Sequence, residues 1–200
     1  MKTSLLDFEQ GIDLEPDVAF HGPRGSCASW PPTGICNTLQ NISLRDVIIS
    51  QNAGSGIQFA AHNLGAGAPI SVTFDDIDIE GQALDGVNAS AVNCLGNGNI
   101  GLYIGGVQPN GTVGEVSFNR VTVRHTAQPG VVVEDKIPDP GTRFSFNSCV
   151  FDTVGRAPEL CWGGPTVPLL LHESRSTPQG VGGFVFREVQ VMDALKRPFI

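Results

Sequence analysis

The chain has 200 residues, a formal net charge of −8 and 16% charged residues. Two hundred residues is enough for one domain with a sizeable core. The acidic balance argues against a nucleic-acid partner, which requires a basic stripe, and against an anionic membrane surface. No apolar run approaches membrane-spanning length. The 25 Gly and 14 Pro beside 40% apolar residues favour short strands joined by dense turns over disorder.

The amino-terminal part contains one strand followed by a long loop. Met1–Gln10 has one Lys and no useful apolar stretch, so it is not a secretory signal. The first predicted strand is Gly11–Pro16 (GIDLEP), and residues 17–41 form a loop insertion rich in Gly, Pro and Ser. Cys27 and Cys36 bracket part of this loop and could close a small disulfide ring, which would imply an oxidising compartment.

A strand phrase then recurs along the rest of the chain. In most copies a Gly and an apolar strand follow at a fixed distance, as in Gly56-Ile57, Gly86-Val87 and Gly130-Val131. Ile100–Gly105 is a candidate for a short extra strand. Five copies predict a repeat architecture. The copies are Ile42–Ile49, Val72–Ile79, Val116–Val123, Phe144–Phe151 and Phe184–Val191.

The repeat predicts a right-handed parallel β-helix, a solenoid of about five to six coils, as a single domain over residues 1–200. Each coil would lie on the previous one at roughly 4.8 Å, so that inward side chains stack in columns. An antiparallel β-sandwich is the alternative, but a sandwich has no reason to preserve side-chain identity by column. We expect the solenoid to be truncated at both ends, because neither end shows a polar cap. The predicted columns are Leu44, Phe74, Phe118, Phe146 and Phe186, and Val47, Ile77, Val121, Cys149 and Val189.

The phrases GIDLEP and NAGSGI, together with the repeated strand, resemble the pectate-lyase-like right-handed parallel β-helix repeat superfamily over Gly11–Ile200. The resemblance implies that fold. It also implies action on a polysaccharide, since most members are lyases, hydrolases or epimerases, whereas others are tailspikes, adhesins and structural repeats. The Asn-Thr-Asp and Gly-His-Gly strings of polygalacturonases and the Asp-Pro-His string of alginate epimerases are absent. The resemblance therefore assigns neither substrate nor reaction.

Candidate site residues lie on the strand that follows the Gly turn. Ile12 and Leu14 point inward, so Asp13 and Glu15 point outward. The outward positions of later coils would fall in the same two columns, where small side chains leave room for a bound chain and amides suit sugar hydroxyls. The substrate-binding candidates are Gln58, Asn88 and Ser90, with His62 as a further one. The later outward pairs are Gln58 and Ala60, Asn88 and Ser90, Val132 and Glu134, and Leu170 and His172.

Two catalytic centres are compatible with these columns. The Cα atoms of Asp13 and Glu15 would be roughly 6.6 Å apart, a spacing that suits acid–base work on a glycosidic bond. The alternatives for this pair are a solvated strand face, or hydrogen bonds that hold the following Cys-containing loop. Glu134 and His172 would lie on adjacent coils, where a carboxylate can orient a general-base histidine or form a surface ion pair. The two clusters are too far apart to serve one bond, so at most one is the centre.

The densest acidic run, Asp75–Glu80, does not predict a metal site. Asp75 and Asp76 fall at a corner of the repeat, and Glu80 would stack with Arg124 and Asp152 as a solvated salt ladder rather than bind Ca²⁺. We expect no metal and no cofactor.

Together these features predict an extracellular protein that acts on a polysaccharide as a glycoside hydrolase or a polysaccharide lyase. The alternative is a non-catalytic carbohydrate-binding or structural β-helix module, such as an adhesin or surface repeat. The expected partner is a glycan, without nucleic acid or a membrane span, and the sequence does not specify an oligomeric state. An enzyme should hold its acids in a concave groove, and a structural module should leave them flat and solvated.

Overall fold

A computed structural model describes residues 3–6, 12–14, 39–50, 55–60, 68–81, 100–105, 112–133, 142–155, 168–171 and 183–192. Within these ranges the chain is all-β, and its strands form two sheets. The strands are β1 (Thr3–Leu6), β2 (Ile12–Leu14), β3 (Leu39–Ser50), β4 (Ile57–Ala60), β5 (Ala68–Glu80), β6 (Leu102–Gly105), β7 (Thr112–Asn119), β8 (Thr122–Arg124), β9 (Val131–Val133), β10 (Thr142–Asn147), β11 (Val150–Asp152), β12 (Leu169–Leu171), β13 (Phe184–Arg187) and β14 (Gln190–Met192).

The larger sheet, called the long sheet below, has nine strands in the order β13-β10-β7-β5-β8-β11-β14, with β3 beside β5 and β1 beside β3. The long strand β5 pairs with β7 through its first part and with β8 through its last residues. Each pairing between the described strands is parallel, in both sheets. This confirms the predicted parallel stacking and excludes the antiparallel sandwich for this part of the chain.

The second sheet, called the short sheet, has five strands in the order β12-β9-β6-β4-β2. Strand β6 lies between β4 and β9. The prediction that the strand starting at Gly86-Val87 occupies this level, with Ile100–Gly105 as an extra strand, is wrong, because β6 pairs with both β4 and β9. Gly101-Leu102 carries the same signal of a glycine before an apolar residue, and spacing alone could not choose between the two.

The core lies between the sheets and is built from the predicted columns. The register aligns Leu44, Phe74, Phe118, Phe146 and Phe186 on successive strands. The rings of Phe74, Phe118, Phe146 and Phe186 stack with centroids 4.9 Å apart at each step, which matches the spacing of neighbouring strands. Phe59 of the short sheet meets Phe144 of the long sheet edge-on at 5.7 Å. Aromatic contacts therefore run along the stack and across it.

The second predicted column is also confirmed. Val47, Ile77, Val121 and Cys149 are buried, and Val189 packs partly buried against the same core. Cys149 is a free thiol with 0% exposure, as expected for a small apolar side chain at an inward position.

Glycine begins three strands of the short sheet for a steric reason. Gly56, Gly101 and Gly130 each stand directly before a strand of the short sheet. Each is hydrogen-bonded through its backbone to the segment that precedes the neighbouring strand, as in Gly56 N to Ile100 O at 2.8 Å. A Cβ on Gly101 would lie 2.3 Å from Val123 Cγ1 and 2.5 Å from the Gly130 carbonyl oxygen. The backbone can approach the long sheet this closely only without a side chain.

The long sheet turns a corner at a repeated left-handed residue. Five non-glycine residues, called the corner residues, have φ between 52° and 56° at the equivalent position of each repeat. Two of them lie within the continuous strands β3 and β5, and the other three separate β7 from β8, β10 from β11 and β13 from β14. Backbone hydrogen bonds continue across the corner, for example Arg120 N to Asn147 O at 2.9 Å, so neighbouring copies support the same conformation. The corner residues are Asp46, Asp76, Arg120, Ser148 and Glu188.

Several expectations fall on residues outside these ranges. They include residues 17–38 of the predicted loop, with Cys27 and Cys36. The last three residues of that loop, 39–41, belong to strand β3, so the predicted end of the loop at residue 41 is wrong. Strand β1 was not predicted, because its four residues show no clear alternation of apolar and polar side chains. Within the described segments, no helix has the length and apolar character needed to cross a membrane.

Candidate functional site

The outward face of the short sheet is where the candidate residues were predicted. The register places Asp13 beside Gln58, and Gln58 beside Tyr103. It then continues from Tyr103 to Val132 and from Val132 to Leu170. Tyr103 therefore occupies the position that the sequence analysis gave to Asn88. Since alternate residues of a strand share a face, this column is the outward one.

Burial distinguishes the members of this column. Gln58 is 8% exposed and Val132 is 0% exposed, so both side chains are covered although they do not point into the core. Tyr103 is only half-buried. Of the outward side chains that the structure describes in this column, the tyrosine is therefore the one with accessible surface.

Tyr103 and Gly105 are coupled within strand β6. A Cβ built on Gly105 would lie 2.8 Å from Tyr103 Cε1, 2.9 Å from Oη and 3.0 Å from Cζ. The ring therefore lies over the α-carbon of Gly105, two residues along the strand. Gly105 pairs with Ala60 and takes the position that the sequence analysis gave to Ser90.

The predicted acids and histidines fall mostly at or beyond the ends of the described strands. Glu15, Glu134 and His172 lie outside the described residues, as do His62, Asn88 and Ser90, and Asp13 is described through its backbone pairing alone. Strands β9 and β12 end in register at Val133 and Leu171. These are the residues immediately before Glu134 and His172 in the sequence.

A polar network follows the corner of the long sheet. Asp75 accepts hydrogen bonds from Arg45 Nη2 at 2.8 Å and from Arg120 Nη2 at 3.0 Å, and its side chain is 12% exposed. Arg120 also holds Asp76 through Nε at 2.7 Å and Nη2 at 3.0 Å. The hydrogen bond and charge of Asp76, with a contribution from Asp75, raise the pKa of the Arg120 guanidinium. The corner location predicted for Asp75 and Asp76 is confirmed.

A histidine that the sequence analysis did not select lies close to Glu80. His125 Nδ1 is 2.5 Å from Glu80 Oε1, and both side chains are a little over one-third exposed. The predicted alignment of Glu80, Arg124 and Asp152 is confirmed by the register. However, the Glu80 carboxylate contacts His125 Nδ1, and Asp152 accepts a hydrogen bond from Thr153 Oγ1. His125 directly follows β8 and has a left-handed backbone, with φ of 52°. Its ring contacts Glu80 at the end of β5, the strand that pairs with β8.

The described residues contain no group of three or more His, Cys, Asp or Glu side chains arranged to hold a metal ion. The chemistry that they offer is the phenol of Tyr103 and the largely covered amide of Gln58 on the short sheet, and arginine–aspartate pairs on the long sheet. The two sets lie on different sheets, so they form separate surfaces.

Comparison of the whole chain with protein-family models, with curated proteins and with solved structures finds no match in any of the three.

Proposed function

We propose that the chain forms a right-handed parallel β-helix and acts on a polysaccharide through the outward face of its short sheet. The observation that carries this proposal is the aligned column of Asp13, Gln58 and Tyr103 on three neighbouring parallel strands. A carboxylate residue and an aromatic residue on one face are side chains used to bind and process a sugar chain. Gln58 lies between them and is largely covered, at 8% exposure.

The β-helix is supported by the order of the strands in both sheets. Successive copies of the repeat lie side by side and parallel, and their apolar columns remain aligned over five strands in the long sheet. The left-handed corner recurs at the same position in each copy. Parallel strands that are joined by long connections and repeat in register fit a solenoid.

The catalytic groups of the proposed site are expected at the end of this column. In the sequence, Glu134 and His172 directly follow the paired strand ends at Val133 and Leu171. Glu15 directly follows β2. The proposed site uses Glu15 with Asp13 as one acidic end, and Glu134 with His172 as the other.

Either acidic end can supply acid–base catalysis. In hydrolysis, one carboxylic acid protonates the oxygen of the leaving sugar, and the other carboxylate or the histidine takes a proton from the attacking water. In a lyase, the base removes a proton next to a carboxyl group of the sugar, a carbon–carbon double bond forms as the bond to the glycosidic oxygen breaks, and an acid protonates the departing oxygen. The two reactions give different products, so one assay distinguishes them.

The test measures reducing-sugar release and unsaturated-product absorbance on a panel of neutral and acidic polysaccharides. It compares wild type with Asp13→Asn/Glu15→Gln, Glu134→Gln and His172→Gln. We expect the substitutions at one acidic end, and not those at the other, to lower activity by about two orders of magnitude or more. This is the usual contribution of a general acid or base. Glu80→Gln is the matched control, because it removes a carboxylate paired with a histidine on the other sheet.

A folded wild-type protein that processes no member of the panel would refute the enzymatic proposal.

A second candidate function, a non-catalytic glycan-binding or structural module, is favoured by the corner network, where Asp75 and Asp76 are neutralised by arginines on neighbouring strands. That arrangement stabilises a repeat without doing chemistry. Binding to a polysaccharide without turnover would select this candidate.

A further inference from the structure

We propose that Tyr103 is the sugar-contacting platform of this face, on which one pyranose ring of a bound polysaccharide stacks. This inference rests on the proposed function and adds to it a residue that the sequence analysis did not select. It assigns a specific role to β6, the middle strand of the short sheet.

The position of Tyr103 is central. Two strands of the short sheet lie on each side of β6, and the register aligns Tyr103 with Gln58 on one side and Val132 on the other. A bound chain that reaches from the Asp13 end toward the end at Leu170 must cross β6. Neighbouring strands are about 4.8 Å apart, so the ring lies roughly 10 Å along the sheet from either end.

Exposure selects the tyrosine over its neighbours. Gln58 and Val132 are covered, whereas Tyr103 is half-buried. A ring that is partly buried is held by the protein on one part of its surface and offers the rest to a ligand. Tyrosine suits this role because it presents a large rigid apolar surface together with one polar group.

Gly105 determines where the ring lies. The ring covers the α-carbon of Gly105, and any side chain at that position would meet Cε1, Cζ and Oη at 3.0 Å or less. Ala60 is the neighbour of Gly105 on β4. The tyrosine ring therefore lies over a position without a side chain, where a larger residue on the same strand would displace it.

The ligand class follows from this chemistry. The apolar C–H face of a pyranose packs against an aromatic ring, and the sugar hydroxyls remain at the edge for hydrogen bonds. A neutral ring makes this contact with neutral and acidic sugars alike. Tyr103 would then set the affinity and position of the chain, while the acids at the ends of the column determine the reaction.

The first experiment uses the folded wild-type protein without any substitution. Tyr103 is the only tyrosine in the chain, so incorporation of fluorotyrosine gives a single fluorine resonance that reports on this ring. We expect that resonance to shift and saturate during titration with the polysaccharide identified by the activity panel. A polysaccharide that is processed or bound while the resonance does not move would overturn the inference and leave the proposed function standing.

The second experiment compares Tyr103→Phe, Tyr103→Leu and Gly105→Ala by binding affinity and by KM and kcat. Stacking predicts that Tyr103→Phe stays within about threefold of wild type, since the ring is kept, and that Tyr103→Leu weakens binding and raises KM by about tenfold. Gly105→Ala should also weaken binding, because it displaces the ring.

Equal losses in Tyr103→Phe and Tyr103→Leu would overturn stacking and assign the effect to the hydroxyl group. Unchanged affinity in a folded Tyr103→Leu variant would overturn the contact altogether. If wild type neither binds nor processes any polysaccharide, the proposed function and this inference both fall.

Discussion

Cys149 illustrates how an inward position changes the chemistry of a single residue. Its Sγ lies 3.3 Å from the Phe118 carbonyl oxygen, and the side chain is fully buried in the aliphatic column. Burial disfavours the charged thiolate and raises the pKa of the Cys149 thiol to about 11. A thiol in this state packs as an apolar group and is a poor nucleophile.

The raised pKa predicts a pH dependence of stability. Below pH 9.0, the ordinary pKa of the thiol, both the folded and the unfolded chain keep this proton. As the pH rises toward about 11, the unfolded chain loses the proton first, so the stabilising contribution of the protonated thiol is lost in that window. The free energy of unfolding of wild type should fall relative to Cys149→Ala by about 2–3 kcal/mol across it.

Urea unfolding of both proteins at several alkaline pH values measures this difference. The other four cysteines are common to both proteins, so the comparison cancels their contributions. Parallel pH curves for the two proteins would contradict the prediction.

At the scale of the element, the corner of the long sheet joins neighbouring strands by charge. Asp75 lies between Arg45 on β3 and Arg120 after β7, and the amide chain Asn119–Asn147 follows on the next strands with an Nδ2–Oδ1 hydrogen bond of 2.8 Å. Polar contacts therefore continue along the corner outside the apolar core. Two of the residues in this network, Asp76 and Arg120, have a left-handed backbone conformation and are hydrogen-bonded to each other.

We predict that Asp75→Asn lowers the free energy of unfolding by about 1–3 kcal/mol, since it removes a nearly buried carboxylate from two arginines. Arg45→Gln should cost less than about 1 kcal/mol, because Arg45 is 63% exposed and Asp75 keeps Arg120. Denaturant unfolding measures both values. Equal costs for the two variants would show that the network does not depend on the buried carboxylate.

The same elements show what the sequence could predict. The columns of the long sheet were predictable because each copy repeats its side-chain types, so Phe74 and Phe118 align by identity alone. The middle strand of the short sheet was not predictable. Gly86-Val87 and Gly101-Leu102 show the same pattern of a glycine before an apolar residue, and a strand of four residues is too short to distinguish them. Misplacing that strand also hid Tyr103.

The candidate site was predictable only to the level of its face. Alternation places Asp13 and Gln58 outward, and the register confirms that they are neighbours. Exposure depends on what covers the sheet, which no local pattern encodes, so the burial of Gln58 and Val132 was not foreseen. The contact between His125 and Glu80 was missed for a similar reason, because it depends on how the chain turns after β8.

At the scale of the whole molecule, burial is uneven along the stack. Phe74, Phe118 and Phe146 have 0% exposure, whereas Phe186 on β13 is 38% exposed. Met192 on β14 is also exposed. A stack in which each strand contacts only its neighbours gains stability from nearest-neighbour interfaces, so strands with one neighbour are held less firmly than strands with two.

We therefore predict a gradient of stability along the aromatic column. Phe118→Ala removes a ring stacked between Phe74 and Phe146 at 4.9 Å on both sides, and it should cost about 3–5 kcal/mol. Phe186→Ala removes a ring with one described stacking partner, Phe146, and should cost roughly half as much or less, since the ring is already partly exposed. Hydrogen exchange should likewise be slowest in β7 and β10 and fastest in β13 and β14. The prediction would be contradicted if the two substitutions lowered the free energy of unfolding equally and hydrogen exchange were uniform across these strands. The strands would then unfold as one cooperative unit, with β13 and β14 as stable as β7 and β10.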